Sequence, residues 1–127
     1  MSAAILIVDD NPDNLKLLRW TLEDEGYDVT EAITAEEALD QAGRQAFDLV
    51  LMDISLPGMD GKEAIRRLRK MSQYASTPIF AVTAHAIQEE QQEIQSSGVT
   101  DVIHKPIDIK QLLNVIQQHV HEEVTHD

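Results

Sequence analysis

Five short apolar runs, each followed by a stretch with helical patterning, constrain this chain more than any other feature. The runs predict strands over Ala4–Val8, Asp28–Ala32, Leu49–Met52, Pro78–Val82 and Val99–Ile103. The first, third and fourth are nearly continuously apolar, as parallel strands covered on both faces should be. Strict alternation of strand and helix implies right-handed crossovers, which place helices on both sides of a parallel sheet.

The helical stretches carry readable punctuation. Asn11-Pro12 supplies a cap and a proline at the first helical position. Leu15, Leu18 and Leu22 form a core stripe, and Gly26 stops the helix. Thr34-Ala35-Glu36-Glu37 reads as a capping box, and Asp60-Gly61-Lys62-Glu63 follows the same logic. Ile65, Leu68 and Met71 then face inward. The fourth helix, from about Ala84 to Ser97, has only Ala84, Ile87 and Ile94 as apolar positions, and Gly98 ends it. The last starts at Asp108 and buries Leu112, Leu113, Ile116 and Val120. The expected fold is α/β: a doubly wound five-stranded parallel sheet in the flavodoxin-like order 2-1-3-4-5, with five helices. One domain is expected over residues 1–120, followed by a polar tail over 121–127.

Polar residues stand where these strands end. Asp9 and Asp10 close the first, Asp53 closes the third, Thr83 ends the fourth and Lys105 follows the fifth. In a parallel sheet all five converge on the carboxyl-end edge, where open α/β sheets bind ligands. Three clustered carboxylates repel one another unless a cation joins them. The pattern therefore asks for a divalent metal and a chemistry that uses a carboxylate.

Bulk properties narrow the classes. The 127 residues carry 23 Asp+Glu against 10 Lys+Arg, a formal net charge of -13. Such a chain repels phosphate backbones and anionic lipid, so neither nucleic acid nor membrane is an expected partner. The absence of cysteine rules out disulfides and thiolate metal sites. No apolar run approaches the ~18 residues of a membrane span, and no basic region precedes the first run, so a cytoplasmic domain is expected.

Taken together, Ile7-Val8-Asp9-Asp10-Asn11, Leu51-Met52-Asp53-Ile54-Ser55-Leu56-Pro57-Gly58-Met59-Asp60-Gly61, Ala81-Val82-Thr83-Ala84 and Lys105-Pro106 form a specific set. With them the whole chain resembles the receiver domain of two-component response regulators, in its single-domain chemotaxis or cell-cycle form. The resemblance implies that Asp53 is the phosphoacceptor, forming a mixed anhydride that water later cleaves. It implies Mg²⁺, with Mn²⁺ as an alternative, held directly by Asp10, Asp53 and the backbone carbonyl of Ser55, and by Asp9 through water. Lys105 then pairs with Asp53 at rest and with the phosphoryl group afterwards, aimed by a cis bond to Pro106. Thr83 offers its hydroxyl to the phosphoryl group in the active state. Ser55, Ala84 and His85 flank that group and set its access and lifetime. The implied partners are a histidine kinase or phosphotransfer protein and a downstream protein. The implied role is that of a regulator, not of an enzyme acting on a separate substrate.

One departure matters. The family usually places an aromatic residue three before the lysine, where it swings inward as the threonine moves; here Val102 stands there. A stiff β-branched side chain has no ring to relocate, so the signal is expected to travel through the fourth helix and the loop before it. Rival readings fit less well. An aspartyl-phosphate phosphatase of the haloacid dehalogenase type wants a second acid two residues after its nucleophile, where this chain has Ser55. A nucleotide site wants a glycine-rich loop after the first strand. A phosphorylation-independent adaptor has no need of the intact five-residue set. A receiver cut from a larger hybrid kinase stays open.

Other features read more plainly. His119, His121 and His126 sit among Glu122, Glu123 and Asp127 as a solvated tail. Arg66, Arg67, Arg69 and Lys70 form the wet face of an amphipathic helix. Trp20 falls opposite the Leu15-Leu18-Leu22 stripe, beside Leu17, where it is a candidate partner anchor.

Overall fold

Parallel pairing of strands in the spatial order second, first, third, fourth, fifth organises the protein, in a computed structural model that describes residues 3–84 and 88–120, with only the backbone of 88–91. The strands are β1 (Ala4–Val8), β2 (Asp28–Ala32), β3 (Leu49–Asp53), β4 (Ile79–Thr83) and β5 (Asp101–His104). Helices α1 (Pro12–Asp24), α2 (Ala35–Arg44), α3 (Gly61–Lys70), α4 (Gln88–Ser96) and α5 (Ile109–His119) connect and cover them. The expected topology is found. Residues 85–87 and 121–127 lie outside the described part, so His85, Ile87, His121 and His126 do as well.

The last three strands run further toward the carboxyl edge than side-chain polarity suggests. Asp53 stands in register with Val82, and Thr83 with His104. Pairing is a backbone property, and a polar side chain does not interrupt it. The Ile54 N–H donates to the Val82 carbonyl at 3.0 Å, and the Lys105 N–H to the Thr83 carbonyl at 2.8 Å. Pro78 has no N–H to give, so β4 starts one residue later, at Ile79. The functional side chains thus stand on the ladder itself.

The caps form as the residues dictate. Asn11 accepts from the N–H groups of Asp13 and Asn14, and Pro12 opens α1. Gly26, at φ 94°, ends it, with the Tyr27 N–H reaching back to the Leu22 carbonyl at 3.1 Å. At α2 the Thr34 hydroxyl accepts from the Glu37 N–H at 3.0 Å. The Glu37 carboxylate reaches one residue beyond the usual box, to the Ile33 N–H at 2.7 Å. Asp60 caps α3 and Asp108 caps α5. Ala84 lies in a bend, short of the helix expected to begin there.

Two apolar layers sandwich the sheet. Leu15, Leu18 and Leu22 of α1 and Leu112 and Ile116 of α5 pack on one face against Ile5, Ile7, Leu49, Leu51 and Phe80. On the other, α2 and α3 contribute Ala38, Ala42, Ile65 and Leu68 against Leu6, Val8, Val50, Met52 and Ala81. Each fully buried aliphatic side chain contributes roughly 1.5–3 kcal/mol. A 3₁₀ turn, Ser72–Tyr74, adds to the expected elements. It buries Tyr74, whose hydroxyl donates toward the Ala42 and Gln45 carbonyls at 2.8 Å each and so closes the end of α2.

Candidate functional site

The carboxyl edge of the sheet brings the expected residues together. Asp9 leaves β1, Asp53 and Thr83 end β3 and β4, and Lys105 follows β5. Asp9 and Asp53 are each 3% exposed and Thr83 is fully buried, while Asp10 faces solvent. One oxygen from each of Asp9, Asp10 and Asp53 lies within 4.8 Å of the others. The Lys105 Nζ is 3.3 Å from Asp53 Oδ2 and 3.8 Å from Asp9 Oδ2. The bond from Lys105 to Pro106 is cis.

Backbone donors fix the two buried carboxylates. Asp53 Oδ1 accepts from the Ser55 N–H at 3.0 Å. Asp9 Oδ1 accepts from the Asn11 N–H at 2.9 Å. Burial raises the Asp9 carboxyl above its usual range; the Asn11 N–H opposes this, the charge of Asp53 adds to it, and Lys105 and Asn14 also oppose it. One ammonium among three carboxylates leaves the cluster negative. Hard oxygen donors with one exposed member, Asp10, suit a small divalent cation that keeps several of its waters. The donor set therefore fits Mg²⁺.

The turn after β3 sets the floor of the site. Gly58 takes φ 75°, a conformation glycine adopts without strain. Gly61 starts α3 so close behind β3 that a Cβ there would collide with the Asp53 carbonyl. Ser55 and Ala84 are exposed beside the cluster. Val102 is half-buried and packs against the layer of α2 and α3.

Asn14 was not singled out from the sequence. Its side-chain amide donates to Asp9 Oδ2 at 3.2 Å. The available signal was spacing: three residues after a helix cap, position 14 returns over the start of the helix that Asp9 and Asp10 precede. A cleft of about 230 Å³ between α1 and the loop after β5 adjoins the cluster, lined by Asn14, Leu17, Leu18, Lys105 and Ile107 among others. Leu17 and Trp20, 53% and 62% exposed, continue that surface along α1.

Known proteins resemble this chain in sequence and in fold. The family model for the response regulator receiver domain matches residues 5–117. The sensor protein GacS of Pseudomonas syringae pv. syringae is 44% identical over 115 residues; the match covers 88% of this chain but only 13% of that protein's length. The chemotaxis protein CheY4 of Vibrio cholerae superposes with a TM-score of 0.90 at 34% identity, covering 94% of this chain and all of that one (100%). The receiver domain of the sensor histidine kinase PA1611 of Pseudomonas aeruginosa, whose active-site cleft coordinates a magnesium ion, gives a TM-score of 0.88 at 33% identity, covering 96% of this chain and 100% of that one. This chain belongs to the response regulator receiver domain family, the phosphoacceptor switches of two-component signalling.

Proposed function

We propose that Asp53 accepts a phosphoryl group from a phosphohistidine of a sensor kinase or phosphotransfer protein. The observation that carries this reading is the buried Asp53 carboxylate, paired with Lys105 and set among two further acids. Asp10, Asp53 and the Ser55 carbonyl would hold Mg²⁺ directly, with Asp9 behind a water; Mn²⁺ suits the same donors. The magnesium ion in the PA1611 receiver supports this choice. Bound cation supplies positive charge against the charge spread over the oxygens of the group in transfer.

The chain's own residues do the rest. The Ser55 N–H holds Asp53 Oδ1, which fixes the direction of the other oxygen. An Asp53 oxygen bonds to phosphorus as the P–N bond breaks, and the electron pair leaves on the donor imidazole. Lys105 follows the new negative charge from the carboxylate to the phosphoryl oxygens, and the Thr83 hydroxyl turns toward the same group. Ser55, Ala84 and His85 flank the path by which water later cleaves the anhydride, returning phosphate and the free carboxylate. His85 lies outside the described residues. With Ser55 where a phosphatase would carry a second acid, the protein acts on its own phosphoryl group and not on a separate substrate.

Phosphorylation then shifts a pre-existing equilibrium between two surface states. Val102 stays where it packs, and the change runs through α4 and the loop ahead of it. The kinase or phosphotransfer protein approaches the open edge beside α1, where Leu17 and Trp20 offer apolar contact. A downstream protein reads the altered surface in the cytoplasm, without nucleic acid or membrane. Among the described residues no helix is long and apolar enough to cross a membrane. The domain spans residues 1–120, and 121–127 form a polar tail. The GacS match favours a second setting, in which the same chemistry serves as the receiver segment of a hybrid kinase.

Acetyl phosphate with Mg²⁺ tests the assignment. The parent should gain acid-labile, hydroxylamine-sensitive phosphate and Asp53→Asn should gain none. Phosphate retained on the variant would rule the assignment out.

A further inference from the structure

Asp9 is a buried carboxylate whose two oxygens are served unequally. Its Oδ1 has the Asn11 N–H at 2.9 Å. Its Oδ2 has the Asn14 amide at 3.2 Å and the Lys105 ammonium at 3.8 Å. The same ammonium stands 3.3 Å from Asp53 Oδ2. One cation thus has two carboxylates within reach, and Asn14 already serves one of them. The placement of Asn14 is preset, because the Asn11 side chain accepts the backbone N–H of Asn14 at 3.3 Å and so anchors the first turn of α1.

We propose that Asn14 is a positioning residue: its amide holds Asp9 in place and leaves Lys105 to Asp53 and to the phosphoryl group Asp53 receives. The inference rests on Asp53 being the acceptor. Without the amide, Lys105 is the remaining side-chain donor for Asp9 Oδ2 among the described residues, and leaving a buried acceptor poorly served is costly. Each movement of the ammonium toward Asp9 lengthens its contact with Asp53. A neutral donor also suits the place better than a second cation would. A lysine or arginine at position 14 could bond Asp9, but it would cancel the negative charge that draws Mg²⁺.

The test is a double-mutant cycle on the limiting rate of phosphorylation by acetyl phosphate at saturating Mg²⁺. The proteins are the parent, Asn14→Leu, Asp9→Ala and the double variant, with Asn14→Gln as the form that keeps an amide. Leucine is similar in size and a stronger helix former, so thermal melts should show the fold retained. Asn14→Leu should slow the limiting rate about tenfold, and Asn14→Gln should recover part of the loss. In the Asp9→Ala background the same Asn14→Leu change should cost less than about twofold, because residues acting through one another are not additive. An equal loss in both backgrounds, or an unchanged rate in Asn14→Leu, would overturn the role. The Asp53→Asn control is read separately: acid-labile phosphate on it would defeat the acceptor assignment itself, whatever the cycle shows.

Discussion

At the scale of single residues, the site holds a carboxyl group in a place that favours its neutral form. Burial, more than any other influence, raises the Asp9 carboxyl above 3.8, its ordinary value. The folded protein therefore keeps the Asp9 proton to a higher pH than the unfolded chain does. The Asp9 contribution to stability falls as pH rises from the ordinary value through the raised one, and its deficit persists at neutral pH. Metal-free Asp9→Asn should accordingly melt higher than the parent at pH 7, with the advantage disappearing below the carboxylate range. Melts in EDTA across that range check the sign. Added Mg²⁺ should stabilise the parent by about 2.7 kcal/mol at a hundredfold excess over its dissociation constant, and Asp10→Ala by much less. Gly61 makes a second residue-scale prediction. A Cβ there meets the Asp53 carbonyl and comes within 2.9 Å of the Ile54 Cα, so backbone must move. Gly61→Ala should cost about 1–3 kcal/mol and slow phosphorylation by displacing Asp53; urea melts and acetyl phosphate kinetics measure the two effects.

At the scale of elements, the described contacts tie down the second half of α4 and the loop after it. Within residues 92–96, Ile94 alone is buried. Beyond α4, Arg69 donates to the Gly98 carbonyl at 2.9 Å, the Tyr74 carbonyl at 2.7 Å, the Thr77 carbonyl at 2.6 Å and the Thr100 hydroxyl at 3.2 Å. One half-buried guanidinium thus ties the end of α3, the 3₁₀ turn and the loop from α4 to β5. Arg69→Ala should destabilise the protein by about 2–3 kcal/mol, since it strips charge-assisted bonds from partly buried carbonyls, and should speed amide exchange in α4. Lys62 adds an ion pair to Glu93 at 2.7 Å, holding α3 to α4. Beryllofluoride with Mg²⁺ should then alter exchange protection across Gln88–Ser96 while the exchange of Val102 stays constant. Protection changes confined to β5 would contradict that route. Arg69 was read from its neighbours Arg66, Arg67 and Lys70 as part of a solvated face. The helical wheel carries period but not tertiary partners, so it could not show that Arg69 turns inward to loop carbonyls. Strands, caps and core stripes were legible because each rests on local rules: continuous apolarity for β1, β3 and β4, Asn11 and Thr34 at helix starts, Gly26 at a stop. Strand ends were less so, because Asp53 and Thr83 pair through their backbones whatever their side chains.

At the scale of the whole molecule, topology is what makes the site. Asp9, Asp53, Thr83 and Lys105 are scattered over nearly the full chain, yet parallel strands in the order 2-1-3-4-5 deliver all four to one edge. The constellation was readable because each residue follows or ends an apolar run, so placing the strands placed the side chains. Asn14 was not, since its partner is chosen by the pitch of α1 against β1. The net charge of -13 also acts at this scale: it raises the local concentration of divalent cations and disfavours direct contact with nucleic acid. In the proposed function, this edge turns one carboxylate, Asp53, into a transient anhydride. Borohydride reduction after treatment with acetyl phosphate and Mg²⁺ measures this most directly, because it converts an aspartyl phosphate into homoserine, a permanent mark that peptide mapping locates. Homoserine is expected at position 53 alone; homoserine at position 9 or 10, or stable phosphate on Ser55 or Thr83 with position 53 untouched, would overturn the assignment.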